Sequence, residues 1–287
     1  MSYNSRIIDS SGNVKELRKI WGQQTGTILA PINTKAIEFD GVDDYIEIGD
    51  HDVFSFVSAD PALDNPFSIS AWVNRTNVPD SQGVFVAKNS GNGVASDWFF
   101  GHNNGRIQVR IYDGTASNNK NIGRDSAFGD LPLNEWHLVT FTYDGSQTAA
   151  GVKVYLDGAL LATTASPSTG YDGRINTTSP VRIGANAAGG IGNDFEKFIS
   201  DVCIYDKELS LSEIQELYNT ADSGRVKDMK TFSAFSSVIS WWKMGDGDNS
   251  GTNGIRDSVG TYHGTLEGNA KIANIKNLKS DYKLITV

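Results

Sequence analysis

The chain has 287 residues, a formal net charge of -9 and a single cysteine. This length is enough for one large hydrophobic core or two modest ones. The acidic charge disfavours nucleic acid as a partner, because phosphate binding depends on clustered Lys and Arg side chains, and one cysteine excludes an internal disulfide framework. No stretch approaches the ~20 apolar residues of a membrane span, so we expect no membrane insertion.

Residues 1–34 are predicted to form an N-terminal arm. The spacing of Val14, Leu17, Ile20 and Trp21 indicates one apolar stripe of a short helix, before glycine and proline break the pattern. Such an arm either wraps on its own domain or docks into a neighbouring subunit. Its first residues show no positively charged start followed by an apolar core, so no secretory signal is visible and we expect synthesis in a cytoplasm.

Residues 35–220 are interpreted as one all-β domain. Short runs that alternate apolar and polar residues follow each other closely, which is typical of strands with one buried face. Asp157 and Gly158 separate two such runs and both residue types tolerate positive φ, so this stretch predicts a β-hairpin. Near the end, Ser210 and Glu213 form a capping box for a short helix that we expect to seal the edge of the sandwich.

The strand pattern is lost over residues 221–237, which we assign to a linker. Residues 238–287 then begin a small C-terminal extension, for which we expect a role in anchoring or oligomerisation. Trp241 and Trp242 are consecutive there and must point to opposite faces if their segment is a strand. Because an exposed tryptophan suits a sugar ring or a subunit contact, both are candidate ligand-binding residues.

A family likeness rests on the order of six segments along the chain: IEFDGVDDYIEI, FSISAWV, EWHLVTFTYDG, KVYLDGALL, VRIGAN and FISDVCIYDKELSLSEIQELY. Their order resembles that of a laminin-G-like jelly roll of the concanavalin A-like lectin/glucanase superfamily. The resemblance implies two curved antiparallel sheets packed face to face, which the number of predicted strands and the hairpin signals also favour. The later segment SWWKMGDG is similar to tryptophan-rich segments in structural proteins of tailed phages.

An aspartate-rich loop lies between the first two predicted strands, where Asp40, Asp43 and Asp44 surround Gly41. One interpretation is a turn shaped by Asp40 and Gly41, with solvated charges. The other is a Ca²⁺ site, because Ca²⁺ takes six to eight oxygen ligands, commonly carboxylates. The resemblance implies calcium near this loop, often with a second acidic residue from the last strand, which is Asp201 here. The candidate metal ligands are therefore Asp43, Asp44 and Asp201.

Glycoside hydrolysis is the strongest enzymatic alternative. Some enzymes of the resembled fold carry glutamate, aspartate and glutamate at alternate positions of one strand, which places all three on one face. The stretch IEIGD, residues 46–50, comes nearest but holds one glutamate. We therefore expect a protein that is not an enzyme, and we name no catalytic residue.

The function expected from these observations is that of a phage virion structural protein, made in the host cytoplasm. It would be a capsid decoration protein or a head or tail fibre component that presents a non-enzymatic jelly-roll adhesion domain. Its partners would be other virion proteins and further copies of itself. The leading alternative is a calcium-dependent lectin or adhesin that binds cell-surface glycans.

Overall fold

The computed structural model of the protein describes residues 35–76, 82–90, 95–114, 120–166, 170–187, 194–218, 229–245 and 254–275, together with two short strands nearer the N-terminus. The chain divides into two compact units, Met1–Ile32 and Asn33–Val287.

The first unit contains an antiparallel pair of strands, β1 (Arg6–Ile8) and β2 (Val14–Glu16). Val14 therefore lies in a strand, and the short helix predicted to include it is wrong at that residue. The other members of the predicted stripe, Leu17, Ile20 and Trp21, lie outside the described residues.

The second unit is a sandwich of two antiparallel sheets, as expected for an all-β jelly roll. Sheet I contains eight strands: β3 (Lys35–Asp40), β5 (Phe67–Arg75), β10 (His137–Tyr143), β11 (Val152–Leu156), β12 (Ala159–Leu160), β15 (Glu196–Tyr205), β16 (Val238–Trp242) and β19 (Lys271–Asn274). Sheet II contains nine: β4 (Tyr45–Gly49), β6 (Gln82–Lys88), β7 (Trp98–Asn103), β8 (Arg106–Tyr112), β9 (Asn121–Asp125), β13 (Thr164–Ala165), β14 (Val181–Ile183), β17 (Gly254–Ile255) and β18 (Gly264–Glu267).

The strand order and the burial pattern within the strands together show where the core lies. Sheet I runs β12-β11-β10-β5-β15-β3-β19, with β16 also pairing with β15, and sheet II runs β13-β9-β8-β7-β6-β14-β4-β18-β17. In β8, Ile107, Val109 and Ile111 are fully buried while the residues between them are partly exposed. This period of two places one face of the strand against the other sheet. The inward faces of both sheets together form one large hydrophobic cluster.

One α-helix is present in the described part of the chain, α1 (Leu211–Tyr218). Its predicted capping box is confirmed, because the Ser210 amide donates to Glu213 Oε2 at 2.7 Å and the Glu213 amide donates to Ser210 Oγ at 3.3 Å. The Tyr218 ring stacks on Trp72 of β5, with centroids 5.9 Å apart. Since β5 is a central strand, α1 covers part of the outer face of sheet I, and it meets the edge that we expected it to seal only at the β11–β12 turn.

The hairpin predicted at Asp157 and Gly158 is confirmed. Strands β11 and β12 pair directly across these two residues, whose φ angles are 51° and 80°. Positive φ at both central positions is the geometry that short hairpin loops require, and aspartate and glycine adopt it at low cost. The Asp157 carboxylate also accepts a hydrogen bond from the Leu138 amide at 2.9 Å.

The C-terminal segment forms part of the sandwich, so the division into a linker and a separate extension needs correction. Strand β16 pairs with β15, β18 with β4, and β19 with β3. Within the predicted linker, Met229 and Phe232 are buried, and the Phe232 ring contacts Tyr205 edge-on. The sequence pattern missed this because single short strands carry a weak signal until their partners are known. In the described residues, no helix has the length and hydrophobicity needed to cross a membrane.

Candidate functional site

The aspartate-rich loop forms the tight turn between β3 and β4. Gly41 adopts a φ of 78°, and a Cβ atom at this position would lie 3.1 Å from the Cβ atom of Glu196 at the start of β15. Asp40, Asp43 and Asp44 each offer a carboxylate oxygen, and these oxygens lie within 4.8 Å of one another. The turn therefore concentrates three acidic groups beside the first residues of the last long strand.

Two of the three carboxylates shape the turn. Asp40 Oδ1 accepts a hydrogen bond from the Val42 amide at 2.9 Å, which is an Asx turn. Asp44 is buried, and its two oxygens accept hydrogen bonds from the amides of Asp40 at 2.8 Å and Asn269 at 2.5 Å. Asp44 thus joins the β3–β4 turn to the β18–β19 turn. Burial raises the pKa of Asp44, the two amides lower it, and Asp40 and Asp43 raise it.

A fourth acidic residue, Asp194, lies near enough to feel the charges of this cluster and was missed by the sequence analysis. Asp194 is 6% exposed and lies two residues before Glu196, whose Cα is paired with that of Asp40. Burial raises its pKa to about 6, with further increases from Asp43 and Asp40 and an opposing effect of Arg182. The sequence shows acidic residues at both ends of this strand, and only the pairing register decides which end meets the loop.

Asp201 does not join the acidic cluster, which corrects the predicted metal ligand set. It lies five residues beyond Glu196 in β15, roughly 16 Å along an extended strand. Its residue is 5% exposed, has a φ of 51° at a β-bulge, and its Oδ1 accepts a hydrogen bond from Trp241 Nε1. Asp201 of β15 is therefore hydrogen-bonded to the indole of Trp241 on the neighbouring strand β16. Asp43 and Asp44 remain next to each other in the loop, as predicted.

Trp241 and Trp242 are both buried, at 2% and 0% exposure, so neither ring face is open to a sugar. They point to opposite faces of β16, as strand geometry requires. Trp242 lies in the core between the sheets and donates from Nε1 to the carbonyl of Tyr262 at 2.8 Å. Trp241 lies on the other face, beside Asp201 and with Lys243 Nζ 4.4 Å from its ring centroid. The predicted ligand-binding role of this pair is wrong because both side chains are buried, one in the core and one on the outer face of sheet I.

The acidic cluster has the donor chemistry that Ca²⁺ prefers. Three carboxylates, from Asp40, Asp43 and Asp44, lie together at one end of the sandwich, and their charges reach the nearby Asp194. Carboxylate and carbonyl oxygens are the ligands of protein Ca²⁺ sites. A divalent cation would oppose the effects of burial and of the neighbouring charges of Asp43 and Asp40, which together raise the pKa of Asp194. The residues present therefore fit a Ca²⁺ ion at this turn.

The glutamate considered for hydrolysis has a different role. Glu47 of β4 accepts a hydrogen bond from Arg182 Nε of β14 at 2.6 Å, forming an ion pair across neighbouring strands. The Arg182 guanidinium also stacks over the Tyr45 ring at 4.1 Å. Glu47 thus contributes to a cross-strand cluster of sheet II.

Comparisons with known proteins agree with this architecture. The protein-family model described as the concanavalin A-like lectin/glucanases superfamily matches residues 40–215. No curated protein matches the chain in sequence.

Two solved structures share the fold at low sequence identity. A Bacteroides ovatus protein to which carbohydrate binding has been attributed is 16% identical, with a TM-score of 0.55 over 85% of this chain and 60% of that one. The chain thus spans 60% of the length of this relative. A heptameric SAP-like pentraxin from Limulus polyphemus is 11% identical, with a TM-score of 0.51 over 86% of this chain and 98% of that one.

Proposed function

Since the chain belongs to the concanavalin A-like lectin/glucanase superfamily, we propose that it is a non-enzymatic binding domain that recognises carbohydrate through loops organised by Ca²⁺. The observation that carries this proposal is the grouping of the Asp40, Asp43 and Asp44 carboxylates at one end of the sandwich, with the buried Asp194 close enough for their charges to raise its pKa. The likeness to the Bacteroides ovatus protein gives the fold and is consistent with carbohydrate as the ligand class.

Calcium would act on the shape of this end of the molecule. Asp44 already links the β3–β4 turn to the amide of Asn269 in the β18–β19 turn, and Asp194 lies two residues before β15. One ion shared by these carboxylates would fix three chain segments relative to each other. Loops fixed in this way lose less conformational entropy when a sugar binds, which raises affinity.

A glycan array with the full chain tests the proposal, in Ca²⁺ and after chelation. Saturable binding that is lost with chelator supports the proposal, and the absence of binding in both solutions contradicts carbohydrate recognition. Asp194→Asn should reduce binding, whereas Asp201→Asn, a matched change of a buried aspartate in the same segment, should leave it intact. Release of sugar from a polysaccharide panel would contradict the non-enzymatic part of the proposal.

The proposed biological setting is the surface of a phage virion, with the domain displayed on a capsid or tail. The tryptophan-rich segment around Trp241 and Trp242, which resembles segments of tailed-phage structural proteins, supports this placement. Its partners would then be other virion proteins and copies of itself. Immunogold electron microscopy with an antibody to this chain tests the setting: regular label on viral heads or tails is expected, and label confined to cells or free protein would refute it.

A further inference from the structure

A buried lysine lies at the end of the sandwich opposite the acidic turn. Lys88 is the last residue of β6, and its side chain has 0% exposure. Strand β4 leads from the acidic turn at Asp44 to Asp50, which contacts this lysine. The ammonium group is therefore about one strand length from the proposed Ca²⁺ site.

Four oxygen atoms surround the ammonium group. Lys88 Nζ donates to Asp50 Oδ1 at 2.8 Å and to the backbone carbonyls of Thr177 and Ser179, both at 2.9 Å. A carboxylate oxygen of Asp97 lies 3.3 Å away. Carboxylates and backbone carbonyls are also the ligands of protein Ca²⁺ sites. Here the cation that they surround is a side-chain ammonium.

The oxygen atoms come from three separate loops. Asp50 follows β4, Asp97 precedes β7, and Thr177 and Ser179 precede β14. Asp97 has 0% side-chain exposure, and it also accepts a hydrogen bond from Thr177 Oγ1 and pairs with Arg174 at 3.5 Å. Burial raises the pKa of Asp97, while Arg174 and Lys88 oppose that rise. A buried carboxylate of this kind requires a cation beside it.

We propose that the Lys88 ammonium acts as a built-in cation in an oxygen site of the Ca²⁺ type, so that this end of the sandwich keeps its three loops in place without a metal ion. Shortening the Lys88 side chain then leaves a site that takes Ca²⁺. The nitrogen-to-oxygen distances of 2.8–3.3 Å exceed Ca²⁺–oxygen distances by about 0.5 Å and Mg²⁺–oxygen distances by about 0.8 Å. The vacated site should therefore prefer Ca²⁺. This inference does not depend on the proposed carbohydrate function.

Two substitutions test it, measured as thermal unfolding of the full chain in chelator, in Ca²⁺ and in Mg²⁺. Lys88→Ala removes the charge and opens space, whereas Lys88→Met removes the charge but fills the space. In chelator, both should melt on the order of 10 °C below the wild type, because the buried Asp97 keeps only Arg174 as a cationic partner and Asp50, Thr177 and Ser179 lose the donor that joins them. Ca²⁺ should then raise the Tm of Lys88→Ala by several degrees more than that of Lys88→Met, and Mg²⁺ should not.

Any Ca²⁺ bound at the acidic turn acts equally on all three proteins and cancels in this comparison. Equal Ca²⁺ responses of the two variants, or a Lys88→Ala protein as stable as the wild type in chelator, would overturn the inference. Folding of Lys88→Ala only in Ca²⁺ is a stronger form of the expected result. Failure to fold in either solution would overturn the conversion to a metal site.

Hydrogen exchange of the wild-type chain gives a second test. Peptides that cover residues 50–56, 95–100 and 170–180 should show equal protection in Ca²⁺ and in chelator. Loss of protection with chelator would contradict the inference that Lys88 holds these loops without a metal ion. Peptides that cover residues 40–44 report on the other end. If they also fail to respond to Ca²⁺, the proposed calcium function fails while the role of Lys88 stands.

Discussion

Asp194 is the residue on which the electrostatics of the acidic turn depend most. Its pKa of about 6 lies above the ordinary value of 3.8, first because of burial and then because of Asp43 and Asp40. A carboxyl with a raised pKa destabilises the native state at pH values above that pKa, where it must ionise in place. At neutral pH, Asp194 therefore costs up to about 3 kcal/mol of folding free energy when no cation is present.

Asp194→Asn removes this cost and also one metal ligand. In chelator at neutral pH, the variant should be more stable to denaturant than the wild type, by up to about 3 kcal/mol. Its Tm should respond less to Ca²⁺ than the wild-type Tm. Asp201→Ala is the contrasting change: it breaks the hydrogen bond from the Trp241 indole and should lower stability by about 1–3 kcal/mol without altering the Ca²⁺ response. A destabilised Asp194→Asn protein in chelator would contradict this account.

His102 gives the protein a defined acid response. Its ring is buried between Phe85 and Phe195, and burial, with a smaller effect of Arg75, lowers its pKa from 6.5 to about 3. The unfolded chain takes up a proton below pH 6.5 and the native chain does not, so stability is lost as pH falls from 6.5 towards 3. The loss from this residue should reach about 2 kcal/mol at pH 5.

Denaturant unfolding across pH 4 to 8 measures this effect, with His102→Phe as the comparison. The variant keeps an aromatic ring at the position but cannot titrate, so its stability should fall less steeply between pH 6.5 and 5. Parallel pH profiles of the two proteins would show that other groups account for the acid response.

Helix α1 is the element that closes the outer face of sheet I. Its first turn depends on the reciprocal hydrogen bonds of Ser210 and Glu213, and Lys207 Nζ contacts Glu213 Oε1 at 2.7 Å. Ser210→Ala should therefore cost about 1 kcal/mol of stability, measured by urea unfolding. Ser212→Ala, a change in the same turn, should cost less. Equal effects of the two substitutions would argue against the capping box as the cause.

The C-terminal strands are expected to be indispensable elements. A chain that ends after residue 237 lacks β16, β18 and β19, which leaves one side of β4, of β3 and of half of β15 unpaired. Unpaired strand edges invite aggregation. This truncated chain should be insoluble on expression, whereas a chain that ends after residue 275 retains all strands of the described sandwich and should be soluble. A folded, monomeric 1–237 chain would show that the C-terminal strands are dispensable.

For the molecule as a whole, our two proposals assign a different cation to each end of the sandwich. The acidic turn depends on added Ca²⁺ in our proposal, and the opposite end depends on Lys88. Ca²⁺ at a hundred times its Kd should stabilise the wild-type chain by about 2.7 kcal/mol, since a ligand that binds only the native state must stabilise it. For a domain of this size, that raises Tm by about 5–10 °C. A Tm that chelator does not change would contradict Ca²⁺ binding, and the acidic loop would then be a turn without a metal ion.

Much of the fold could be predicted from residues near each other in sequence. The hairpin at Asp157 and Gly158 and the capping box at Ser210 depend on local backbone geometry, and both are confirmed. The alternation in β8 likewise depends only on strand period. The C-terminal strands and the position of α1 were not predicted, because they depend on partners that lie far away in the chain.

The sequence by itself determined the class of fold and the acidic turn, because alternation, turn residues and clustered aspartates act over a few neighbouring positions. The tertiary structure decided which other residues meet that turn. Asp194 lies near the acidic turn, whereas Asp201 lies beside Trp241. The reason is the register of β15 against β3, which gives each end of β15 a different neighbour. The tertiary structure also buried both tryptophans and gathered four oxygen atoms from three loops around Lys88. Such long-range contacts arise only when the sheets pair, so no local pattern contains them.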